Sequence, residues 1–338
     1  MGTMKAIVFE RFGEPADVLT LRDVPIPEPG PGQVRVRMIA SPINPSDLLV
    51  VRGLYGVLPS LPATPGFEGV GIVDKAGPGL LGMFAKGKRV SVINSAGGNW
   101  AEYAIIPAKQ ARPVASDIPD DQVASFFVNP ATVLALIKHV LKVPRGETLL
   151  QSAAGSSLGK MIIRYCKHEG IRTINVVRRR EAMGELSALG GDVVISTADE
   201  PADAQVLKST RNEGVRFAID PVGGDTGTEI FNSLATDAKM VVYGTLTNEP
   251  IRVDSRRMIA GKRELQGFWL GHWMRSRSIP QSLLLFREIA AHMRTGVLTT
   301  EVGGRFPLEA IGEAVRASEN VARKGKMLLT IDLSTRSR

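Results

Sequence analysis

Hydrophobic and polar residues follow two different periods along this chain. Up to about Ala108 apolar positions recur every second residue. In GQVRVRMIA (32–40), Val34, Val36 and Met38 share one face and Arg35 and Arg37 the other, as in a half-exposed strand. Further strands read at 70–74, 89–93 and 100–106, punctuated by Pro25, Pro27, Pro29, Pro31, Pro62 and Pro65. This predicts a β-rich module of Greek-key or barrel type. Past Pro119 the pattern becomes helices alternating with short apolar strands. A helix at 131–142 is followed by strands near 148–151, 173–177, 193–195, 217–220 and 240–243, with helical segments between them. Such alternation builds a parallel, doubly wound sheet. A last strand at 264–270 precedes an amphipathic helix at 280–295. The expected class is α/β, with a β-rich domain of residues 1–125 and 275–338 and a parallel-sheet domain of residues 126–274.

The most informative stretch is ETLLQSAAGSSLGKMIIRYCKHEGIRTINVVRRR (147–180), a strand, a small-residue turn, a helix and a second strand. Leu158, Met161, Ile162, Tyr165 and Cys166 fall on one helical face. Gly155 and Gly159 sit where backbone must approach a ligand or neighbouring strand closely. Such a turn presents backbone N–H groups at a helix N-terminus to a phosphate, although many two-glycine turns bind nothing. The end of the second strand decides between cofactors. A site for NAD places an acid there to hold the ribose hydroxyls, whereas this chain has Arg178, Arg179 and Arg180. Three guanidinium groups suit a 2′-phosphate, so NADP(H) is expected over NAD(H). A solvated basic helix start is the bland alternative.

The 338 residues allow two domains, and 43% hydrophobic with 22% charged residues describe an ordinary soluble protein. No apolar run approaches the roughly 18 residues that span a bilayer, so no membrane partner is expected. The first strand reads from Met4, which leaves little room for a targeting peptide. The single cysteine, Cys166, cannot form an internal disulfide, and its apolar face suits an inert thiol in a reducing cytoplasm. The net charge of +8 raises the question of nucleic acid. The basic residues are dispersed, however, with only Arg178 to Arg180 and the C-terminal Arg336 and Arg338 clustered. An RNA-binding or regulatory module that uses NADPH is therefore a minor alternative. Attraction of polyanionic small molecules or acidic carriers is the better use of the charge.

A β-rich module ahead of a dinucleotide domain, with PGFEGVGIV (65–73) between, resembles the medium-chain dehydrogenase/reductase superfamily. The resemblance implies a GroES-like catalytic domain joined to a Rossmann domain. Zinc members of that superfamily carry a histidine ligand before the glutamate, where this chain has Phe67 before Glu68. Ser46 and Asp47 stand where a cysteine ligand is expected, and one cysteine cannot build a structural zinc lobe. The chain therefore looks like a zinc-free branch, with no metal site. Within it, SPINPSDLLVVRGLYGVLPSLP (41–62), VNPAT (128–132), RTINVVRRR (172–180) and GFWLGHW (267–273) are similar to the mitochondrial-type trans-2-enoyl thioester reductases.

That resemblance implies NADPH-dependent reduction of an α,β-unsaturated thioester carried by coenzyme A or acyl carrier protein. It also implies a homodimer through the Rossmann domains and a catalytic tyrosine at Tyr55. Hydride delivery to the β-carbon puts negative charge on the thioester oxygen, and a proton must then reach the α-carbon. A phenol can serve either need. Its bland reading is an aromatic anchor for a Gly- and Pro-rich loop. By the same matching, Asn129 would hold the nicotinamide side, or simply cap a helix before Pro130. Gly155, Ser156, Ser157 and Leu158 would cradle the pyrophosphate. Tyr243, Gly244, Thr245 and Leu246 would lie near the nicotinamide. Phe268, Trp269 and Leu270 would line the active-site side of the dimer, and Lys326 would reach the cofactor phosphate. A quinone or alkenal reductase of the same branch is the competing enzyme. Glu68 and Asp47 are assigned local hydrogen bonds and no acid–base role. His139, His168 and His292 are read as structural, and His272 is left open.

Overall fold

A computed structural model describes residues 2–198, 200–320 and 324–331; Arg336 and Arg338 lie outside the described residues. The chain forms two compact units, one made by the chain up to Val128 together with the part from Thr299 on, the other by Asn129–Leu298. The first crossing falls near the expected 125/126. The second falls at 298/299 and not at 274/275, because the helix Ile279–Arg294 belongs to the second unit. Lys138 Nζ donates to Glu288 Oε1 at 2.6 Å, Arg164 Nε donates to the Val297 carbonyl at 3.1 Å, and the rings of Tyr165 and His292 meet edge-on at 5.5 Å.

In the first unit the strands β1 (Thr3–Val8) and β2 (Thr20–Pro25) pair as an antiparallel ribbon. The strands β3 (Gln33–Pro42), β4 (Glu68–Ala76), β5 (Arg89–Ile93), β6 (Tyr103–Pro107) and β7 (Ala111–Pro113) build most of a seven-stranded sheet. Its alternation is the one the sequence predicts. Val34, Val36 and Met38 are fully buried, while Arg35 faces outward and pairs with Asp74 at 2.8 Å. The core adds Ile7, Phe9 and Trp100.

The second unit carries a six-stranded sheet of β8 (Thr148–Gln151), β9 (Arg172–Val177), β10 (Val193–Ser196), β11 (Val215–Asp220), β12 (Leu234–Val242) and β13 (Glu264–Gly267). The spatial order is β10-β9-β8-β11-β12-β13, and every pairing is parallel. This is the doubly wound Rossmann order, whose direction reverses between β8 and β11. Between β8 and β9 runs the helix Ser157–Glu169, burying Met161, Ile162, Tyr165 and Cys166 and stopping at Gly170 with φ 71°. Burial pushes the Cys166 thiol pKa up, which keeps it protonated and inert. The strand expected to reach residue 270 ends at Gly267. Its last backbone link is Phe268 N–H to the Val242 carbonyl, 2.8 Å, after which the helix Leu270–Arg275 begins. The strands β14 (Val302–Pro307) and β15 (Lys326–Thr330) return to the first unit, where β15 pairs antiparallel with β3.

Candidate active site

In the second unit the reversal between β8 and β11 leaves a crevice at the carboxyl ends of those strands, where doubly wound sheets bind ligands. The turn after β8 feeds the helix Ser157–Glu169, and Ser156 Oγ caps it by accepting the Gly159 N–H at 3.0 Å. As first-turn groups, the N–H groups of Ser157 and Leu158 have no acceptor within the helix. A Cβ at Gly159 would lie 2.5 Å from the Ala154 carbonyl oxygen, so only glycine lets the helix sit this close to the turn. Beneath it, buried Gln151 donates to the Gly159 carbonyl at 3.1 Å and to Asn175 Oδ1 at 2.7 Å, tying the turn to β9. A Cβ at Gly155 would lie 3.8 Å from Val177, so the end of β9 adjoins the turn. Arg178, Arg179 and Arg180 follow directly, and all three are exposed.

The sequence reading missed the opposite wall. Asp220, fully buried at the end of β11, accepts the Ser152 hydroxyl and the N–H groups of Val222 (3.1 Å) and Gly223 (2.8 Å). Burial raises its pKa, and those three donors pull it back. The available signal was DPVGG (220–224) at the end of an apolar strand. Tyr243 to Leu246 are stitched to this loop, with Tyr243 N–H on the Asp220 carbonyl and Leu246 N–H on that of Pro221, both 3.0 Å. Asn129 is buried in the first turn of the helix Val128–Leu134, inside the helix and not at its cap. Phe268, Trp269 and Leu270 are half-buried beyond edge strand β13, and exposed His272 packs its ring on Trp269 at 4.3 Å.

The residues here fit a phosphorylated dinucleotide: the N-terminal end of a capped helix, glycines at the close approaches and three exposed arginines beside them. Replacing Arg178, Arg179 and Arg180 together by alanine is expected to weaken NADPH binding about 10- to 100-fold. NADH binding should change by less than about 3-fold. Titration of cofactor fluorescence checks this, and equal losses for both cofactors would place the arginines elsewhere.

The first unit contains a second constellation, in which Asp47 and Glu68 make the hydrogen bonds expected of them. Asp47 accepts the Asn44 N–H at 2.8 Å and the Phe67 N–H at 3.0 Å. Glu68 accepts Asn44 Nδ2 at 3.0 Å and the N–H groups of Val128 and Phe127 at 2.8 and 3.2 Å. Lys326 Nζ donates to Asn44 Oδ1. All four side chains are at least 94% buried. The place of Lys326 in a buried network is a role the sequence did not suggest. The ring of Tyr55 rests on Phe67 at 5.3 Å between centroids, so the Asp47 carboxylate that fixes the Phe67 backbone also fixes the floor under Tyr55.

This donor set does not fit zinc. It offers no imidazole or thiolate, both carboxylates are engaged by N–H groups, and a lysine ammonium supplies the positive charge. Burial raises Asp47 to about 7, helped by the neighbouring Glu68 charge, and burial also raises Glu68. Between the ordinary 3.8 of aspartate and about 7 the folded chain therefore binds more protons than the unfolded one, and stability falls as pH rises. The expected slope is up to about 1.4 kcal/mol per pH unit, reduced in Asp47→Asn. Thermal melts between those pH values check it.

The tertiary structure also gathers His168, Glu169 and His292, whose ligand atoms lie within 4.8 Å of one another. His168 Nε2 and Glu169 Oε1 are 3.9 Å apart, wider than the about 3.3 Å edge of a tetrahedral zinc site. The two imidazoles instead pack edge to face at 5.2 Å.

A GroES-like unit, a parallel sheet with its switch-point crevice and a metal-incompatible acid pair define a zinc-free medium-chain dehydrogenase/reductase, and the chain belongs to that superfamily. Residues 30–117 match the alcohol dehydrogenase GroES-like domain and residues 157–287 the zinc-binding dehydrogenase family. The chain is 33% identical to the mitochondrial enoyl-[acyl-carrier-protein] reductase of Xenopus tropicalis, over 96% of this chain and 95% of that one. To its Homo sapiens counterpart it is 32% identical, over 97% and 89%. Among solved structures, a putative NADPH:quinone reductase from Bacillus thuringiensis superposes with a TM-score of 0.91 at 31% identity, over 98% and 99% of the two chains. A mycobacterial protein solved in complex with NADPH gives 0.87 at 29%, over 97% and 99%.

Proposed function

We propose that the protein reduces the carbon–carbon double bond of a 2-enoyl thioester with NADPH, the acyl group being carried by coenzyme A or acyl carrier protein. The observation that carries this reading is Tyr55, a half-buried phenol held on Phe67 above a network in which an ammonium, and not a metal, balances two buried carboxyls. With zinc incompatible, the charge that develops on a thioester oxygen needs a proton-bearing donor, and a phenol supplies one. NADPH is the cofactor, and when bound it supplies the hydride. Arg178 to Arg180 select its 2′-phosphate, and the capped helix end holds its pyrophosphate. Tyr55 donates to the thioester oxygen, stabilises the enolate and delivers the proton that the α-carbon needs. Full-length similarity to enoyl reductases at about one-third identity supports this substrate class.

A second reading has its own support. The superposition on a putative NADPH:quinone reductase covers nearly the whole chain, and reduction of a quinone needs the same cofactor without thioester recognition. The deciding experiment follows NADPH and NADH oxidation by the purified protein against a short 2-enoyl-CoA and a simple quinone. Rapid NADPH oxidation with the thioester supports the first reading. Turnover with the quinone alone rejects it in favour of the second.

A further inference from the structure

The short helix Leu80–Ala85 in the first unit is built inside out. Its inward positions are the small ones, Gly82 and Ala85. A Cβ at Gly82 would lie 3.2 Å from the Ala76 Cβ and 3.3 Å from Val34 Cγ1, so the helix is seated tightly on β3 and β4 through a position with no side chain. Its large apolar residues point the other way. Leu80, Leu81, Met83 and Phe84 are 72%, 65%, 67% and 70% exposed. Four such side chains on six residues contribute almost nothing to the core, and a soluble surface normally keeps apolar groups scattered. Folding does not account for them, whereas contact with another apolar phase does.

The rim indicates which phase. Lys86 and Lys88 follow the helix directly and are exposed. The 3₁₀ turn Ala108–Gln110, which packs against the same helix, adds exposed Lys109. Among the described residues none of the three lysines is drawn into an ion pair, whereas the acids of the neighbouring β-structure are neutralised, Asp74 by Arg35 and Glu28 by Lys75. Ammonium groups are non-directional point charges, suited to a field of phosphates more than to a shaped protein acceptor. An apolar crest ringed by unpaired lysines matches an interfacial anchor, which buries its apolar side at the headgroup boundary while its cations meet anionic lipid.

We propose that the helix Leu80–Ala85, with Lys86, Lys88 and Lys109, docks the protein peripherally on an anionic phospholipid surface. The absence of long apolar runs in the sequence bears only on spanning a bilayer, and an anchor of this kind spans nothing. The inference is independent of which acceptor the enzyme reduces.

The test is co-sedimentation of the full-length protein with phosphatidylcholine vesicles, with and without phosphatidylglycerol, at physiological ionic strength. Binding is expected to be at least about 10-fold tighter to the vesicles containing phosphatidylglycerol. Leu81→Ser/Phe84→Ser should weaken it about 100-fold, and Lys86→Glu/Lys88→Glu about 30-fold or more. All four side chains are exposed, so both variants should keep the wild-type melting temperature and the turnover measured without vesicles. Failure of the wild type to bind any vesicle overturns the proposal, as does binding that both variants retain. A wild-type oligomer that dissociates in Leu81→Ser/Phe84→Ser, with no vesicle binding, also overturns it and assigns the face to a second copy of the chain.

Discussion

Lys326→Met is expected to cost about 3–5 kcal/mol, lowering the thermal midpoint of the protein by about 10 °C. The methionine fills similar volume, so the loss does not come from a cavity. It comes from two carboxyl groups, Asp47 and Glu68, left 99% buried with no cation beside them. Removing one partner of a buried charge network is far more damaging than removing all of it. The triple variant Asp47→Asn/Glu68→Gln/Lys326→Met should therefore recover more than half of the loss, a coupling that additive effects cannot give. Differential scanning calorimetry of the three proteins checks this. A single variant that melts within about 1 °C of wild type, but binds NADPH more weakly, would return Lys326 to the phosphate role that family resemblance suggested.

Tyr55→Phe is expected to lower kcat on a 2-enoyl-CoA by about 100- to 1,000-fold while leaving KM within about 3-fold. The phenyl ring keeps the contact with Phe67, so the melting temperature should stay within about 1 °C of wild type. Only the hydroxyl is lost, and with it the donor to the developing enolate. Steady-state kinetics on the thioester and on a quinone separate the two readings of the enzyme. If thioester turnover survives the substitution, Tyr55 is a packing residue and the anchor reading of its loop is correct. Loss on the thioester with quinone reduction retained marks the phenol as specific to the enolate chemistry.

The sequence made the fold legible because both of its periods are local. Val34, Val36 and Met38 alternate with arginines whatever the rest of the chain does, and the structure buries all three. The strand from Thr148 to Gln151, the capped turn at Ser156 and the stop at Gly170 are likewise written in adjacent residues. At two places long-range packing overrides the local signals. The amphipathic pattern of the helix Ile279–Arg294 shows an apolar face but not which surface covers it, so the sequence assigns it to the first unit whereas it packs within the second. The strand predicted to run through Phe268, Trp269 and Leu270 stops at Gly267, because its partner β12 ends at Val242.

By itself, the sequence determined the two-module architecture, the small-residue turn that opens a capped helix, the arginine cluster at the end of β9 and the inability to build a structural zinc lobe from one cysteine, since each rests on residue types at short spacing. Only the tertiary structure decided how the two buried acids are partnered. Asn44, Asp47, Glu68 and Lys326 are separated by up to 282 positions in the chain, and no periodicity relates them. They meet because β15 pairs with β3 and brings Lys326 against the start of the helix Pro45–Val51. The physical reason is that a buried charge finds its counter-charge through space, and sequence distance carries no information about which groups a sheet will bring into contact.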